Sequence, residues 1–88
     1  MNTFARDNLI SLTSPTAVLA VNVRFQDDAL VVQLSDGREI SAPLEWFPRL
    51  RNATPEQRNN WRLIAKGIGI NWEDVDEDIA VSTLLRGW

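Results

Sequence analysis

The side chains best suited to chemistry in this chain are the carboxylates of an acidic run over residues 73–78. Five of its six residues are Asp or Glu, and Asp74, Asp76 and Asp78 have the spacing that begins a calcium-binding loop. The pattern then fails, because Ile79 stands where that loop needs glycine and its last position is a leucine. We therefore expect no metal and no other cofactor. Two interpretations stay open, a solvated loop or an electrostatic contact with a basic partner.

Paired carboxylates can also carry acid–base catalysis, and Asp76 with Asp78 is one such pair. Catalysis of this kind needs a pocket that perturbs a pKa, which a sequence does not show. The chain has neither histidine nor cysteine, so the usual general base, a thiolate nucleophile and a cysteine-based zinc site are all excluded. We therefore predict that the protein is not an enzyme.

Basic side chains are concentrated just before the acidic run, in a basic stretch between Pro48 and Lys66. Only Glu56 opposes them there, so the local charge is +4, although the whole chain carries −3. Arginines beside aromatic residues can stack on bases, which favours a phosphate-contacting patch. The other interpretation pairs them with the acidic run and Glu45 inside the molecule. The basic residues of the stretch are Arg49, Arg51, Arg58, Arg62 and Lys66.

A predicted hairpin precedes these charged segments. Asp36-Gly37 predicts a two-residue type I′ turn, because both residues accept positive φ. The turn joins a β-branched run over 29–34 to an alternating run over 38–42. Pro43 has no N–H to donate, so we expect the sheet to stop there and Ser41 or Ala42 to leave the strand.

A short helical segment follows the hairpin. Leu44, Phe47 and Leu50 recur every three residues, which predicts one buried face. The proline after Phe47 disfavours helix at that residue, so the helix is either broken or begins at the proline. Trp46 lies off the buried face. It is either an exposed anchor for a protein partner beside Arg49 or a core residue folded onto the sheet.

Alternating hydrophobic residues and helix caps predict the remaining elements. Thr54, Pro55 and Gln57 form a capping box at the start of a polar helix. Gly69 indicates a bulge or a close backbone approach, and Ser82 is the expected N-cap of the last helix. The expected elements are strands over 18–25, 61–65, 68–72 and 79–81 and helices over 55–60 and 83–86. The residues expected to share strand faces are Val21, Val23 and Phe25, then Ile68, Ile70 and Trp72.

Together these elements predict an α+β fold, a small antiparallel sheet built from a β-meander and returning strands, with two to three short helices on one face. The 88 residues fit a single α+β domain over 15–88 after an N-terminal extension over 1–14. The sequence shows no signal-peptide pattern and no apolar run long enough to span a membrane, so we expect a cytoplasmic protein without membrane partners. Exposed sheet edges allow a monomer or a homodimer.

A set of short motifs is distributed along most of the chain. They are Asp36-Gly37-Arg38, Pro43-Leu44, Phe47-Pro48-Arg49-Leu50, Ala53-Thr54, Trp61, residues 67–72, residues 76–79 and Leu84-Leu85. Their order resembles the bacterial domain-of-unknown-function 2442 family over about residues 15 to 87. The resemblance implies an α+β fold like the N-terminal half of larger bacterial proteins that carry a helix-turn-helix. It also implies membership of two-gene pairs suspected to be toxin–antitoxin modules. A histidine common in the family is replaced here by Asn71.

These observations predict a non-enzymatic protein-interaction or regulatory module, an antitoxin-like member of a two-gene pair whose partner is another protein. The alternative is a nucleic-acid-binding accessory or a domain associated with a transcription regulator. The residues expected to contact a partner are Trp46, Arg49, Arg51, Arg58, Arg62, Asp74, Asp76, Glu77 and Asp78.

Overall fold

The computed structural model describes residues 18–86, which form two three-stranded antiparallel sheets and three short α-helices. This architecture confirms the α+β class. The six strands lie in two sheets, whereas the sequence suggested one. The first sheet contains β1 (Ala20–Gln26), β2 (Ala29–Leu34) and β3 (Glu39–Pro43), and the second contains β4 (Trp61–Ile64), β5 (Gly69–Trp72) and β6 (Glu77–Ala80). The helices are α1 (Pro48–Arg51), α2 (Pro55–Asn59) and α3 (Val81–Arg86), and 3-10 segments cover Leu44–Trp46, Ala65–Gly67 and Glu73–Val75.

One hydrophobic core joins the two sheets and the helical segment between them. Leu30 and Val32 enter it from the first sheet, Ile70 and Trp72 from the second, and Leu50 from α1. All five side chains are fully buried. Because each sheet supplies one apolar face to the same core, neither sheet buries its own hydrophobic residues alone.

Trp72 is the largest fully buried side chain and links three elements. Its ring lies edge-on to Phe25 of β1, with 6.2 Å between the ring centroids. Its Nε1–H donates to the backbone oxygen of Arg58 in α2 over 3.0 Å. A buried indole needs such an acceptor, so Trp72 fixes α2 and the first sheet relative to β5.

The β2–β3 hairpin has a three-residue loop, so the predicted type I′ turn is wrong. The Leu34 N–H donates to the Arg38 oxygen over 2.8 Å, and the Gly37 N–H donates to the Leu34 oxygen over 3.1 Å. Gly37 has φ +94, whereas Asp36 has no positive φ. Its carboxylate instead accepts from the backbone N–H of Arg38 over 3.0 Å. This arrangement is a turn followed by a left-handed glycine, the usual geometry of a three-residue hairpin loop.

The third strand extends through Pro43, so the prediction that Ser41 or Ala42 leaves the strand is wrong. Ser41 pairs with Val31 and Ala42 pairs with Leu30. Proline is tolerated because it is the last residue of β3, and β3 is an outer strand of its sheet among the described strands.

Two residues predicted to share a strand face with residues that are buried are themselves exposed. The β1–β2 register shifts between Ala20 and Asn22, so Ala20 and Val23 are buried and Val21 faces solvent. Ile68 is also exposed because β5 begins one residue later, and Ile70 then begins the buried alternation. Both errors come from irregular backbone that breaks the two-residue period.

A close backbone approach occurs at Gly67, and the prediction for Gly69 is wrong. A Cβ added at Gly69 would meet the Ile79 oxygen at 3.4 Å, an ordinary contact, and β5 pairs without a register shift. A Cβ added at Gly67 would lie 2.4 Å from the Ala20 oxygen. The 3-10 segment between β4 and β5 therefore approaches the backbone of β1 at a residue without a side chain.

The last strand and the last helix begin earlier than predicted. The sixth strand starts at Glu77 rather than at Ile79, and α3 starts at Val81, so Ser82 lies inside the helix and is not its N-cap. The Val81 N–H donates to the Ile68 oxygen over 2.9 Å. Acidic residues are depleted in strands, so the composition of the acidic run concealed the start of β6.

The capping box of α2 is confirmed and gives a first prediction. The Gln57 N–H donates to Thr54 Oγ1 over 3.1 Å, and the Thr54 N–H donates to Gln57 Oε1 over 3.0 Å. Thr54→Ala removes the acceptor, and we expect it to lower the free energy of unfolding by about 1 kcal/mol. Urea denaturation measures this change. Thr54→Ser keeps the hydroxyl and serves as the control, and equal losses for the two variants would contradict the assignment.

Candidate functional site

Trp46 and the acidic run meet across a narrow groove. Its volume is about 170 Å³. Trp46 ends a 3-10 segment, lies two positions after buried Leu44 and one before buried Phe47, and is itself 43% exposed. Its side chain is therefore at the surface and not in the core, and its role as an anchor for a partner stays a prediction. We name this feature the Trp46–β6 groove; it is lined by Trp46, Phe47, Glu77, Asp78, Ile79, Ala80 and Thr83.

Arg49 joins the helical side of this surface to the acidic run. Its Nη1 donates to the backbone oxygen of Asp76 and lies 3.9 Å from Asp76 Oδ2 and 3.8 Å from Glu77 Oε1. Arg49 follows Pro48 in α1, and the next residue, Leu50, is fully buried. The short helix thus directs one side chain into the core and its neighbour towards the carboxylates. The Asp76 carboxylate is fully exposed, so solvent screens its ion pair with Arg49.

Glu77 is the carboxylate of the groove with a shifted pKa. Its side chain is only 20% exposed, and burial raises its pKa above the ordinary value of 4.5. The nearby Arg49 guanidinium opposes this rise, whereas the charges of Asp78 and Asp76 add to it. A partly desolvated carboxylate beside an exposed indole is therefore the main electrostatic feature of the groove.

The raised pKa of Glu77 gives a second prediction. The pKa of Glu77 is higher in the folded than in the unfolded state, so the protonated side chain stabilises the fold. This stabilisation is complete below the unfolded-state pKa and is lost as pH rises through the folded-state pKa. Glu77→Gln cannot ionise. We expect its free energy of unfolding, relative to the natural chain, to increase between about pH 3 and about pH 7. Urea denaturation across this range measures the trend.

Glu39→Gln provides the matched control for that experiment. Hydrogen bonds from Arg24, 2.7 and 3.1 Å long, lower the pKa of Glu39. The ionised Glu39 side chain stabilises the fold above the unfolded-state pKa, and this stabilisation is lost as pH falls. As pH rises, the natural chain therefore gains stability that Glu39→Gln cannot gain, so the variant should become less stable relative to the natural chain. Trends of the same sign in the two variants would contradict the electrostatic description of Glu77.

A polar ladder crosses the second sheet and ends at the acidic run. Arg62 pairs with Asn71 across β4 and β5, and Asn71 pairs with Asp78 across β5 and β6. Arg62 Nε donates to Asn71 Oδ1 over 3.2 Å, and Asn71 Nδ2 donates to Asp78 Oδ1. The amide both accepts and donates, so it connects a cation to a carboxylate without carrying charge itself.

Arg58 stabilises the connection between the helices and the first sheet. Its Nε donates to the Leu50 oxygen over 2.9 Å, and its Nη2 donates to the Arg51 oxygen over 2.8 Å. Its guanidinium carbon lies 5.7 Å from the centre of the Phe25 ring, within cation–π range. These contacts fix Arg58 within the fold, away from the Trp46–β6 groove.

The remaining predicted residues lie apart from the groove. Arg51 lines a separate concavity of about 430 Å³ with Asp28, Glu45 and Arg58. Asp74 accepts a hydrogen bond from Asn60 Nδ2 over 2.9 Å. Within residues 18–86, Arg49 is the one member of the basic stretch that forms an ion pair with the acidic run. The structure thus assembles Trp46, Arg49, Asp76, Glu77 and Asp78, and it places Arg51, Arg58, Arg62 and Asp74 elsewhere.

Two further findings concern the described residues alone. They contain no group of three acidic, histidine or cysteine side chains arranged to hold a metal ion. Nor does this part of the chain contain a helix that is long and apolar enough to cross a membrane.

Residues 20–88 match the model of the family described as protein of unknown function (DUF2442). The chain belongs to this family. A similar fold occurs in the crystal structure of a protein of unknown function from Rhodospirillum rubrum ATCC 11170, with a TM-score of 0.70 and 23% sequence identity. The likeness covers 82% of this chain and 89% of that chain, and at this identity it shows the fold alone. No curated protein gives a significant match.

Sequence reasoning missed part of the groove in this DUF2442 chain. Ile79 and Ala80 line it from β6, and Thr83 lines it from α3. Sequence analysis placed Ile79 and Ala80 in a predicted strand over 79–81, but it began that strand two residues late because the charges of the acidic run favoured a loop. No sequence pattern indicated that this strand lies beside Trp46.

Proposed function

We propose that this DUF2442 protein is a non-enzymatic interaction module that binds another protein through the Trp46–β6 groove. The observation that carries the proposal is the exposed indole of Trp46 held between buried Leu44 and Phe47. Tryptophan is enriched among the residues that dominate binding energy at protein interfaces. Its neighbours restrict its backbone before binding, so less conformational entropy is lost when a partner docks.

The charges around the groove support a protein partner rather than a nucleic acid. The carboxylates of Glu77 and Asp78 line the groove and repel phosphates. Within the basic stretch, Arg49 is paired with the acidic run and Arg58 is bound to backbone oxygens. A phosphate-binding surface would instead present several such arginines together to solvent.

The size of the groove supports docking rather than catalysis. Its volume of about 170 Å³ is below the roughly 300–1,000 Å³ of typical small-molecule sites. The separate 430 Å³ concavity falls within that range. However, four of its six lining residues are charged, in contrast to the mainly apolar lining of most ligand pockets.

We extend the proposal to the biological role that family resemblance suggests. The chain acts in the cytoplasm as the antitoxin-like, regulatory member of a two-gene pair, and its partner is the product of the adjacent gene. The exposed Trp46 and the acidic strand are the parts of the surface that this partner contacts.

Co-expression with the product of the adjacent gene tests the proposal. We expect the two proteins to co-elute in size-exclusion chromatography, and Trp46→Ala to weaken binding at least about 30-fold, as expected for an interface anchor worth roughly 2 kcal/mol. Val21→Ala removes an exposed apolar side chain on β1 and is the matched control. Separate elution of the natural proteins, or equal effects of the two substitutions, would contradict the proposal.

A further inference from the structure

We propose that the bound segment of the partner is an extended basic peptide that pairs with β6 as a fourth strand of the second sheet. This inference rests on the proposed docking function and specifies how docking occurs. Strand addition of this kind draws affinity from main-chain hydrogen bonds and specificity from alternate side chains.

The lining of the groove places it along the outer edge of β6, the edge that pairs with no other strand within residues 18–86. Side chains of a strand alternate between its two faces, so a concavity on one face touches every second residue. The groove is lined by all four consecutive residues of β6, from Glu77 to Ala80. It therefore runs beside the backbone. On its other side β6 pairs with β5, and within residues 18–86 β6 is the outer strand of the sheet.

The lining residues outside β6 can receive alternate side chains of such a peptide. They are Trp46, Phe47 and Thr83. An exposed indole attracts both the apolar stem and the cationic end of lysine or arginine. A peptide side chain that projects from the edge of β6 towards Trp46 would therefore bind best if it were long and basic.

The negative charge along the edge of β6 indicates that a bound peptide should be positively charged. Asp76, Glu77 and Asp78 are consecutive carboxylates, and within residues 18–86 Arg49 is the one cation that forms ion pairs with them, with Asp76 and Glu77. The edge therefore keeps an excess of negative charge that a basic strand would neutralise.

The same charges disfavour a second copy of this chain at the edge. Pairing β6 with its own copy would bring six carboxylates from the two 76–78 segments close together, and like charges across a strand pair are destabilising. Charged edge strands commonly prevent this kind of self-association. We therefore expect this edge to pair with a strand of opposite charge and not with a second copy of this chain.

Titration of the ¹⁵N-labelled full chain with an eight-residue peptide of alternating lysine and valine tests the inference. We expect NMR shifts at the backbone amides of residues 77–80 and at the indole N–H of Trp46, together with slower amide exchange in β6. The same peptide N-methylated at alternate residues cannot form the full ladder, and we expect it to bind at least about tenfold more weakly. An alternating glutamate–valine peptide is the charge control and should cause no shifts at these sites.

Three results would overturn strand addition: no shifts at residues 77–80, equal binding of the N-methylated peptide, or equal binding of the acidic peptide. The result also separates this inference from the docking proposal. If Trp46→Ala abolishes the complex with the adjacent gene product while the peptide causes no shifts in β6, strand addition is wrong and docking stands. If the shifts occur but the natural proteins form no complex, the docking proposal is wrong.

Discussion

Replacing Gly67 by alanine is expected to lower the free energy of unfolding by about 3 kcal/mol or more. The new Cβ would lie 2.4 Å from the Ala20 oxygen and 3.1 Å from the Ala20 nitrogen. These are backbone atoms of β1, so no side-chain rotation relieves the contact and the 3-10 segment that contains Gly67 must move away from β1. Gly67 also has φ +113, a conformation that costs an L-residue about 1–3 kcal/mol. Urea denaturation measures the loss.

Gly37→Ala separates the two contributions. Gly37 has φ +94, but a Cβ there would meet no atom within 4 Å. This control therefore carries the conformational cost without the clash, and we expect it to lose only about 1–2 kcal/mol. If Gly67→Ala were no more destabilising than Gly37→Ala, the close approach of the 3-10 segment to β1 at Gly67 would be wrong.

Truncation of Trp72 has the second large expected effect. Trp72→Ala leaves a cavity in the shared core, removes the edge-on contact with Phe25 and deprives the Arg58 oxygen of its donor. Core tryptophan-to-alanine substitutions cost about 3–5 kcal/mol. Small domains are stable by only about 5–15 kcal/mol, so the variant should lose a large part of its stability. Thermal and urea unfolding, followed by circular dichroism, measure it.

Trp61→Ala is the matched control for that substitution. Trp61 is the cross-strand partner of Trp72 in the β4–β5 pair, but it is only partly buried and packs at the margin of the core. We expect it to cost clearly less than Trp72→Ala, because a half-exposed site leaves a smaller cavity. Equal losses would show that Trp72 does not occupy the centre of the core.

The elements that sequence predicted well are those that depend on neighbouring residues. The capping box at Thr54 and the burial of Leu44, Phe47 and Leu50 both follow from spacings of three residues and are present in the structure. The three-stranded meander also follows from local alternation and turn residues. These predictions required no knowledge of how distant segments pack.

The errors occurred where distant segments decide the outcome. Gly67 must lack a side chain because β1 passes beside it, yet 47 residues separate it from Ala20 in sequence. Val21 is exposed because a bulge shifts its register with β2. No short window of sequence contains either constraint, because both arise from pairing and packing across the fold.

The candidate site was predicted by residue type but not by arrangement. Trp46 was singled out because it lies off an apolar stripe, and the acidic run because of its charge. That they line one groove depends on the second sheet packing beside the 3-10 segment of Trp46. Arg58 illustrates the opposite case, since its charge suggested a contact surface but its guanidinium donates to the backbone oxygens of Leu50 and Arg51.

Site-specific photo-crosslinking tests the docking role of the Trp46–β6 groove most directly. A photoreactive phenylalanine analogue replaces exposed Ala80, which lines the groove from β6, in one variant and exposed Val21 in another, and each is co-expressed with the adjacent gene product and irradiated. The proposal predicts an adduct with the partner from position 80 and none from position 21. An adduct from position 21 alone, or equal yields from both positions, would contradict it.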